Sequence, residues 1–156
     1  IQGQLWSETV RSDDQAEYMI YPRLLALAER AWHQASWQVP YNGEGRIYST
    51  GTNVFTDKLR QIRDKKWLVF SQALGEKELA KLDLAGVFYR VPTVGAKIES
   101  GILSANMAIK GLPIEYRVNK DQWQAYQQPV KVNGSVLIRA RTRDNKRAGR
   151  TMPVSK

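Results

Sequence analysis

Cysteine is absent from the 156-residue sequence, and histidine occurs once, as His33. Without cysteine there is no disulfide framework, thiolate nucleophile or cysteine-based metal site. A single histidine makes histidine-rich zinc sites and Ser-His or Cys-His catalytic machinery hard to build within this chain. We therefore predict no metal or other cofactor, and we expect His33 to be a surface residue at the end of a helix.

Long apolar runs are also missing, because no stretch approaches the roughly 18 residues that a transmembrane helix needs. The sequence has no glycine-rich phosphate loop, EF-hand spacing or internal repeat. It has no closely spaced Asp-Glu pair of the glycosidase kind, since helix capping explains Asp13 and Asp14. Ile1 opens directly into a strand pattern without a methionine or a basic lead-in. We therefore expect the sequence to be part of a longer protein.

Positive charge is concentrated at one end of the chain. The net charge is −2 over residues 1–50, +2 over 51–86 and +9 over 87–156. Such an excess is typical of a surface for nucleic acid or another anionic partner. Arg139, Arg141 and Arg143 lie on one face of a predicted strand, but no ordered aromatic platform of the kind used by single-strand binders accompanies them. We therefore predict no nucleic-acid partner and favour a solubilising face or one that docks on an acidic neighbouring domain.

The first eight residues combine a tryptophan with a carboxylate. If Ile1 to Glu8 is a β-strand, its period of two directs Trp6 and Glu8 to the same face. An indole beside a carboxylate suits a sugar, because the C–H face of a pyranose stacks on the ring while its hydroxyls donate to the carboxylate. The alternative is a buried tryptophan with a solvated glutamate nearby.

The next segment predicts a helix that begins after Ser12. Ser12 is a suitable N-cap, and Gln15 completes a capping box. Two adjacent apolar stripes then continue to Trp32, which predicts a helix covered on more than one side. Pro22 interrupts this pattern, and we expect a kink near Tyr21 rather than a full stop because the periodicity resumes at once.

The region after residue 51 predicts first helices and then strands. Apolar residues follow a helical period from Phe55 to Leu74, with Gly75 as the stop, and a short helix over 76–84 ends at Gly86. Strand-forming segments follow at 87–91, 96–99, 102–109, 114–118, 124–127, 130–132, 136–143 and 147–152. Asn133-Gly134 predicts a hairpin with a type I′ turn. Some seven short strands in 70 residues fit a small immunoglobulin-like sandwich. Alternation in the strand over 136–143 predicts four side chains that point into the core: Val136, Ile138, Ala140 and Thr142.

Three runs carry a resemblance to a known family: Gly3-Gln4-Leu5-Trp6-Ser7-Glu8, Glu17-Tyr18, and Tyr21-Pro22-Arg23-Leu24-Leu25-Ala26-Leu27-Ala28-Glu29-Arg30-Ala31-Trp32. Together they resemble the end of the catalytic barrel of family 20 glycoside hydrolases, most of all the bacterial chitobiases, which are exo-acting β-N-acetylhexosaminidases. The resemblance covers residues 1–33 closely. The later order of helices and a β-domain is also similar to the chitobiase layout.

The resemblance implies an α/β fold followed by an all-β fold. Residues 1–51 would hold the last strand, helix and loop of a (β/α)8 TIM barrel. Residues 52–86 would form linking helices, and residues 87–156 an immunoglobulin-like C-terminal domain. The parent enzyme would be periplasmic or secreted.

The resemblance also implies roles for Trp6 and Glu8 in a sugar pocket at the end of the eighth strand. Trp6 would form one wall of the pocket for a terminal N-acetylglucosamine, and Glu8 would accept hydrogen bonds from its O4 and O6 hydroxyls. Hydrolysis in the family uses an Asp-Glu pair and the acetamide of the substrate itself. No residue of this chain matches that pair, so we expect the chain alone to be inactive.

The partners implied are chitobiose or other N-acetylglucosaminides and the remainder of the catalytic barrel. The alternative from a different class is a non-catalytic, basic β-sandwich module that binds an anionic polymer.

Overall fold

The computed structural model describes residues 2–45 and 54–155. Parts of the predicted first strand and of the loop before Gly51 lie outside these ranges. The helices are α1 Asp13–Ile20, α2 Arg23–Trp32, α3 Asp57–Ala73 and α4 Leu79–Leu84, with a π-helical turn at Leu74–Glu78 between the last two. The strands are β1 Gly95–Glu99, β2 Ile102–Asn106, β3 Ile114–Val118, β4 Gln124–Ala125, β5 Val130–Lys131, β6 Val136–Ala140 and β7 Met152–Val154. Within the described ranges no helix is long and apolar enough to cross a membrane.

The predicted strand over Ile1–Glu8 is not formed in the described residues 2–12. A strand is stable when a neighbour satisfies its backbone hydrogen bonds, and the described part of the chain pairs no strand with this segment. The segment instead ends in a turn in which Val10 N–H donates to the Ser7 carbonyl over 3.0 Å.

The predicted single kinked helix is two helices. The start is confirmed, because the Ser12 hydroxyl accepts from the Gln15 amide and the Gln15 side chain accepts in turn from the Arg11 amide. The expected kink near Tyr21 is wrong, because Tyr21, which precedes the cis Tyr21-Pro22 peptide, has extended backbone angles (φ −93°, ψ 142°) that end the helix. Steric contact with a proline ring disfavours the helical conformation in the residue before it.

The two helices are also less covered than predicted. Neither α1 nor α2 contains a fully buried residue, and Trp32 at the end of α2 is 93% exposed. Only Tyr21 and Leu25 from this region pack against the main core as partly buried residues. The wide apolar face therefore remains largely uncovered by the described part of the chain.

The helix predicted to end at Gly75 continues through it into α4. Helical hydrogen bonding persists because the π-helical turn at Leu74–Glu78 joins α3 to α4. A Cβ at Gly75 would lie 1.8 Å from the Lys110 carbonyl oxygen, so glycine allows a close approach of two backbones here. The predicted stop at Gly86 is confirmed, because this residue has φ +73° just after α4.

The strands form two antiparallel sheets that share one core. One sheet has the order β1-β2-β5 and the other β4-β3-β6-β7. Buried residues from both sheets, including Leu103 and Ile138, belong to one apolar cluster. Leu74 and Leu79 of the helical run join the same cluster. The chain is therefore a sheet-rich domain, with the end of its helical run built into the core.

The predicted inward face of the sixth strand is confirmed. Val136, Ile138 and Ala140 of β6 are buried, as is Thr142 just beyond it. The strand itself is shorter than predicted and ends at Ala140. Thr142 instead takes part in a turn, where its amide donates to the Arg147 carbonyl.

The predicted hairpin at Asn133-Gly134 is wrong. β5 pairs with β2 in one sheet, whereas β6 pairs with β3 and β7 in the other, so the dipeptide connects two sheets. Gly134 alone of the two has positive φ, and a Cβ on it would lie 2.5 Å from Asn119 Oδ1. The strands before and after the dipeptide bury their side chains in one core from two different sheets. This burial outweighs the preference of Asn-Gly for a two-residue hairpin turn.

Two further strand predictions are corrected at the ends of the β-region, by which we mean residues 87–155. Residues 87–91 form no strand, because Tyr89 N–H donates to the Val87 carbonyl within the segment and Arg90 N–H donates to the Tyr21 carbonyl of the helical region. The last strand lies at Met152–Val154 rather than over 147–152. Before it, Arg141 and Ala148 form an isolated antiparallel bridge, next to which Gly149 N–H donates to the Ala140 carbonyl.

Candidate functional site

Trp6 and Glu8 both lie at the surface, on the segment that precedes α1. The Trp6 side chain is 72% exposed, and Glu8 is exposed as well. In the part of the chain that the structure describes, neither side chain makes a hydrogen bond, an ion pair or a ring contact. An indole face and a carboxylate are therefore available here for a ligand with apolar C–H groups and hydroxyl donors.

Contacts with the following helices hold this segment. Gly3 faces α2 so closely that a Cβ would lie 2.8 Å from Leu27 Cδ2. The Ser7–Val10 turn and the Ser12 cap then lead the chain into α1. The two candidate side chains are therefore carried by a short, exposed segment that rests on α2.

Glu17 and Tyr18 attach α1 to the β-region, a role that the sequence patterns did not indicate. The Glu17 carboxylate accepts from the Phe88 amide over 2.6 Å. The Tyr18 ring lies 6.2 Å from the Phe88 ring, and the Arg90 guanidinium lies over Tyr18 at 5.6 Å. These contacts join residues that are more than 60 positions apart, and only the folded chain brings them together.

A buried network around Tyr89 fixes the end of α4 against the β-region. The Tyr89 hydroxyl donates to Asp83 over 3.0 Å, and Arg147 donates both to Asp83 and to the Tyr89 carbonyl. The Arg147 guanidinium also lies 4.4 Å from the centre of the Tyr89 ring. Burial, followed by the charge of Asp83 and the hydrogen bond to it, raises the pKa of Tyr89. This network is structural, because Tyr89 is completely buried.

The basic face of the β-region is largely engaged within the chain. Arg139 and Arg141 both contact Glu115, and their side chains are only 20% and 23% exposed. Arg143 donates to the Gly111 carbonyl over 2.7 Å. One ring accompanies these arginines, since the Arg139 guanidinium lies 3.9 Å from the centre of the Trp123 ring.

His33 lies at the exposed C-terminal end of α2, as predicted. Its Nε2 atom is 3.5 Å from Lys66 Nζ. Both residues line a groove of about 560 Å³ between α2 and α3, whose walls include Trp37 and Phe70. Within the described ranges no group of three or more His, Asp or Glu side chains is arranged to hold a metal ion.

Comparison with known families gives two matches. Residues 78–151 match the chitobiase/beta-hexosaminidase C-terminal domain. Residues 1–35, which include Trp6 and Glu8, match the catalytic domain of glycosyl hydrolase family 20.

Two curated relatives match along almost the whole chain, and a third matches about half of it. A beta-hexosaminidase of Vibrio vulnificus is 41% identical over 99% of this chain and 19% of its own length. An N,N'-diacetylchitobiase of Vibrio harveyi is 40% identical over 99% of this chain and 17% of its own length. A beta-hexosaminidase B of Pseudoalteromonas piscicida is 60% identical over 48% of this chain. The chain thus spans less than a fifth of the length of the first two relatives. Its two matches fit a C-terminal part of a glycosyl hydrolase family 20 protein, with a stretch similar to that catalytic domain followed by one similar to the C-terminal domain of chitobiases and β-hexosaminidases.

Proposed function

We propose that this chain is the C-terminal portion of an exo-acting β-N-acetylhexosaminidase that hydrolyses terminal β-linked N-acetylglucosamine from chitobiose-like substrates. The observation that carries the proposal is the exposed Trp6 and Glu8 within the stretch that matches the family 20 catalytic domain. In the parent enzyme Trp6 stacks on the apolar face of the terminal sugar, and Glu8 accepts hydrogen bonds from O4 and O6. The enzyme acts in the periplasm or after secretion.

In this proposal the chain binds the sugar and other residues cleave it. Hydrolysis proceeds with retention through attack by the acetamide oxygen of the substrate, while a glutamic acid protonates the leaving oxygen. The Asp-Glu pair for these steps belongs to an earlier strand of the barrel and has no counterpart among residues 1–156. The isolated chain is accordingly inactive.

The proposed architecture has three parts. Residues 1–51 complete the (β/α)8 barrel, in which residues 1–8 become the eighth strand once neighbouring strands pair with them. Residues 52–86 are the linking helices, and residues 87–156 are an immunoglobulin-like domain. The strand order supports the last assignment, because the first, second and fifth strands share one sheet while the third, sixth and seventh share the other, as in immunoglobulin domains. The fourth strand departs from the seven-stranded arrangement, since it pairs with the third strand in the second sheet.

The alternative, an accessory module for an anionic polymer, is less well supported. A polymer-binding surface needs exposed cationic groups along a groove. Arg139 and Arg141 instead share Glu115 and are about four-fifths covered. The C-terminal charge is therefore partly used inside the domain.

The first test replaces the indole in the complete enzyme. We expect Trp6→Ala to lower kcat/KM on a chromogenic N-acetylglucosaminide by an amount equivalent to about 1–3 kcal/mol, because the stacking face of the sugar pocket is lost. Trp6→Phe should recover part of the loss. The matched control is Tyr41→Ala, which removes another ring that is 93% exposed in this chain. Equal kinetics for Trp6→Ala and the control would remove Trp6 from the pocket.

Glu8→Gln tests the carboxylate in the same assay. We expect kcat/KM to fall because an amide is a weaker acceptor for sugar hydroxyls than a carboxylate. Glu44→Gln, at another exposed glutamate, is the control. The same assay on the isolated chain tests its inactivity, and turnover by that chain that Glu8→Gln abolishes would contradict the proposed division of labour.

A further inference from the structure

Three arginines and one glutamate form an unbalanced cluster on the outer face of the four-stranded sheet. Arg117 and Glu115 lie on β3, and Arg139 lies opposite Glu115 on β6, with Arg141 just beyond that strand. Glu115 contacts Arg139 and Arg141 and is only 16% exposed. Since a guanidinium is always protonated, the cluster carries three positive charges and one negative charge, which leaves a net charge of +2.

Arg117 is the member of the cluster without an anion. Among the described residues its guanidinium makes no hydrogen bond, and its Nε atom is buried without a partner. Its contact is with the Trp123 ring, whose centre lies 5.0 Å away, and the same ring covers the Arg139 guanidinium. Arg141 also has a buried Nε atom without a partner. A half-buried cation that lacks an acceptor is costly, and an added carboxylate relieves that cost.

We propose that Arg117, supported by Arg139 and Trp123, receives a carboxylate from the catalytic domain of the same protein. The inference rests on the proposed function, in which the chain continues a larger catalytic domain. The first two relatives are more than five times as long as this chain, and residues 1–35 match part of that domain. The remainder of the domain is thus covalently tethered to the cluster and present at high effective concentration.

The chemistry of the cluster favours an acidic side chain as the ligand. The planar guanidinium fork of Arg117 matches the two oxygens of a carboxylate. Charges of the same sign on Arg117 and Arg139 raise the positive potential at this spot, which favours an anionic ligand and disfavours a basic surface. The contact would fix the β-region against the catalytic domain in one orientation.

The test uses Arg117→Lys in the complete enzyme with a zero-length carbodiimide cross-linker, which joins a lysine amine to a carboxylate only when the two are in contact. We expect a cross-linked peptide between position 117 and an Asp or Glu of the catalytic domain outside residues 1–156, identified by mass spectrometry. Arg150→Lys, at an exposed arginine of the same domain, is the control and should give no such peptide. A cross-link to Glu115 alone, to a second copy, or none at all would overturn the proposal.

The unaltered enzyme provides a second measurement that does not depend on the variant folding. Phenylglyoxal labels accessible guanidinium groups, so Arg117 should be labelled more slowly in the complete enzyme than in the 156-residue chain, while Arg150 reacts at the same rate in both. Equal labelling of Arg117 in the two proteins would overturn the proposed contact. Hydrolysis of the chromogenic substrate is measured separately, so a missing cross-link in an active enzyme contradicts this contact without affecting the proposed function.

Discussion

The helical region before residue 45 and the region after residue 70 bury their apolar residues to very different extents. α1 and α2 contain no buried residue, although α2 has a leucine-rich face. β6 alone buries Val136, Ile138 and Ala140, and Leu79 of α4 is completely buried in the same core. The second region has a closed core of its own. The first has apolar surface of the kind that a larger domain would cover.

The largest expected effect compares one leucine from each region. Leu103→Ala removes a completely buried side chain from β2, and we expect the free energy of unfolding of the 156-residue chain to fall by about 2–5 kcal/mol. Leu24→Ala on α2 removes a side chain that is 39% exposed and should cost less than about 1 kcal/mol. Urea unfolding measures both. Equal losses would contradict the contrast, whereas a larger loss for Leu24→Ala in the complete enzyme would show that a partner covers α2.

The next effect tests whether the helical run is built into the β-region. Gly75→Ala places a methyl group 1.8 Å from the Lys110 carbonyl oxygen, so the backbones must separate. We expect a loss of about 1–3 kcal/mol in the free energy of unfolding, despite the better helix propensity of alanine. Gly43→Ala is the control, because its new methyl group would meet nothing nearer than 3.7 Å. A stabilised Gly75→Ala chain would show that the two backbones separate easily.

The smallest effect concerns the hydroxyl that joins α4 to the β-region. Tyr89→Phe removes the hydrogen bond to Asp83 and leaves a carboxylate oxygen without that donor, at a cost of about 1–2 kcal/mol. Thermal unfolding near neutral pH measures it. Tyr41→Phe, at an exposed ring, is the control and should leave the melting temperature unchanged.

The stability lost on replacing the Tyr89 hydroxyl should also depend on pH. The pKa of Tyr89 is raised in the folded chain, so above the ordinary value of 10.0 the unfolded state loses this proton while the folded state retains it. Stability contributed by the protonated hydroxyl is therefore complete below pH 10.0 and is lost as the pH rises further. Tyr89→Phe should show a smaller loss of stability above pH 10.0 than the unaltered chain. Identical alkaline profiles would contradict the raised pKa.

Local patterns in the sequence predicted those features that depend on neighbouring residues. Ser12 caps α1, Gly86 ends α4, and the alternation from Val136 to Thr142 identifies the buried face. Each depends on backbone geometry or on the period of one element. The motifs at Trp6, Glu8 and α2 likewise identified the family, because they lie close together in the sequence.

Tertiary structure decided the features that depend on distant residues. Gly75 admits the Lys110 backbone instead of ending a helix, and Asn133-Gly134 joins two sheets because the flanking strands pair elsewhere. Arg139 and Arg141 share Glu115 and Arg139 is covered by Trp123, so their charge is not a free patch. At Gly75 and at Asn133-Gly134, long-range packing and pairing outweighed a local conformational preference worth about 1 kcal/mol. The opening segment teaches the same lesson, since a strand pattern forms a strand only beside neighbours that can pair with it.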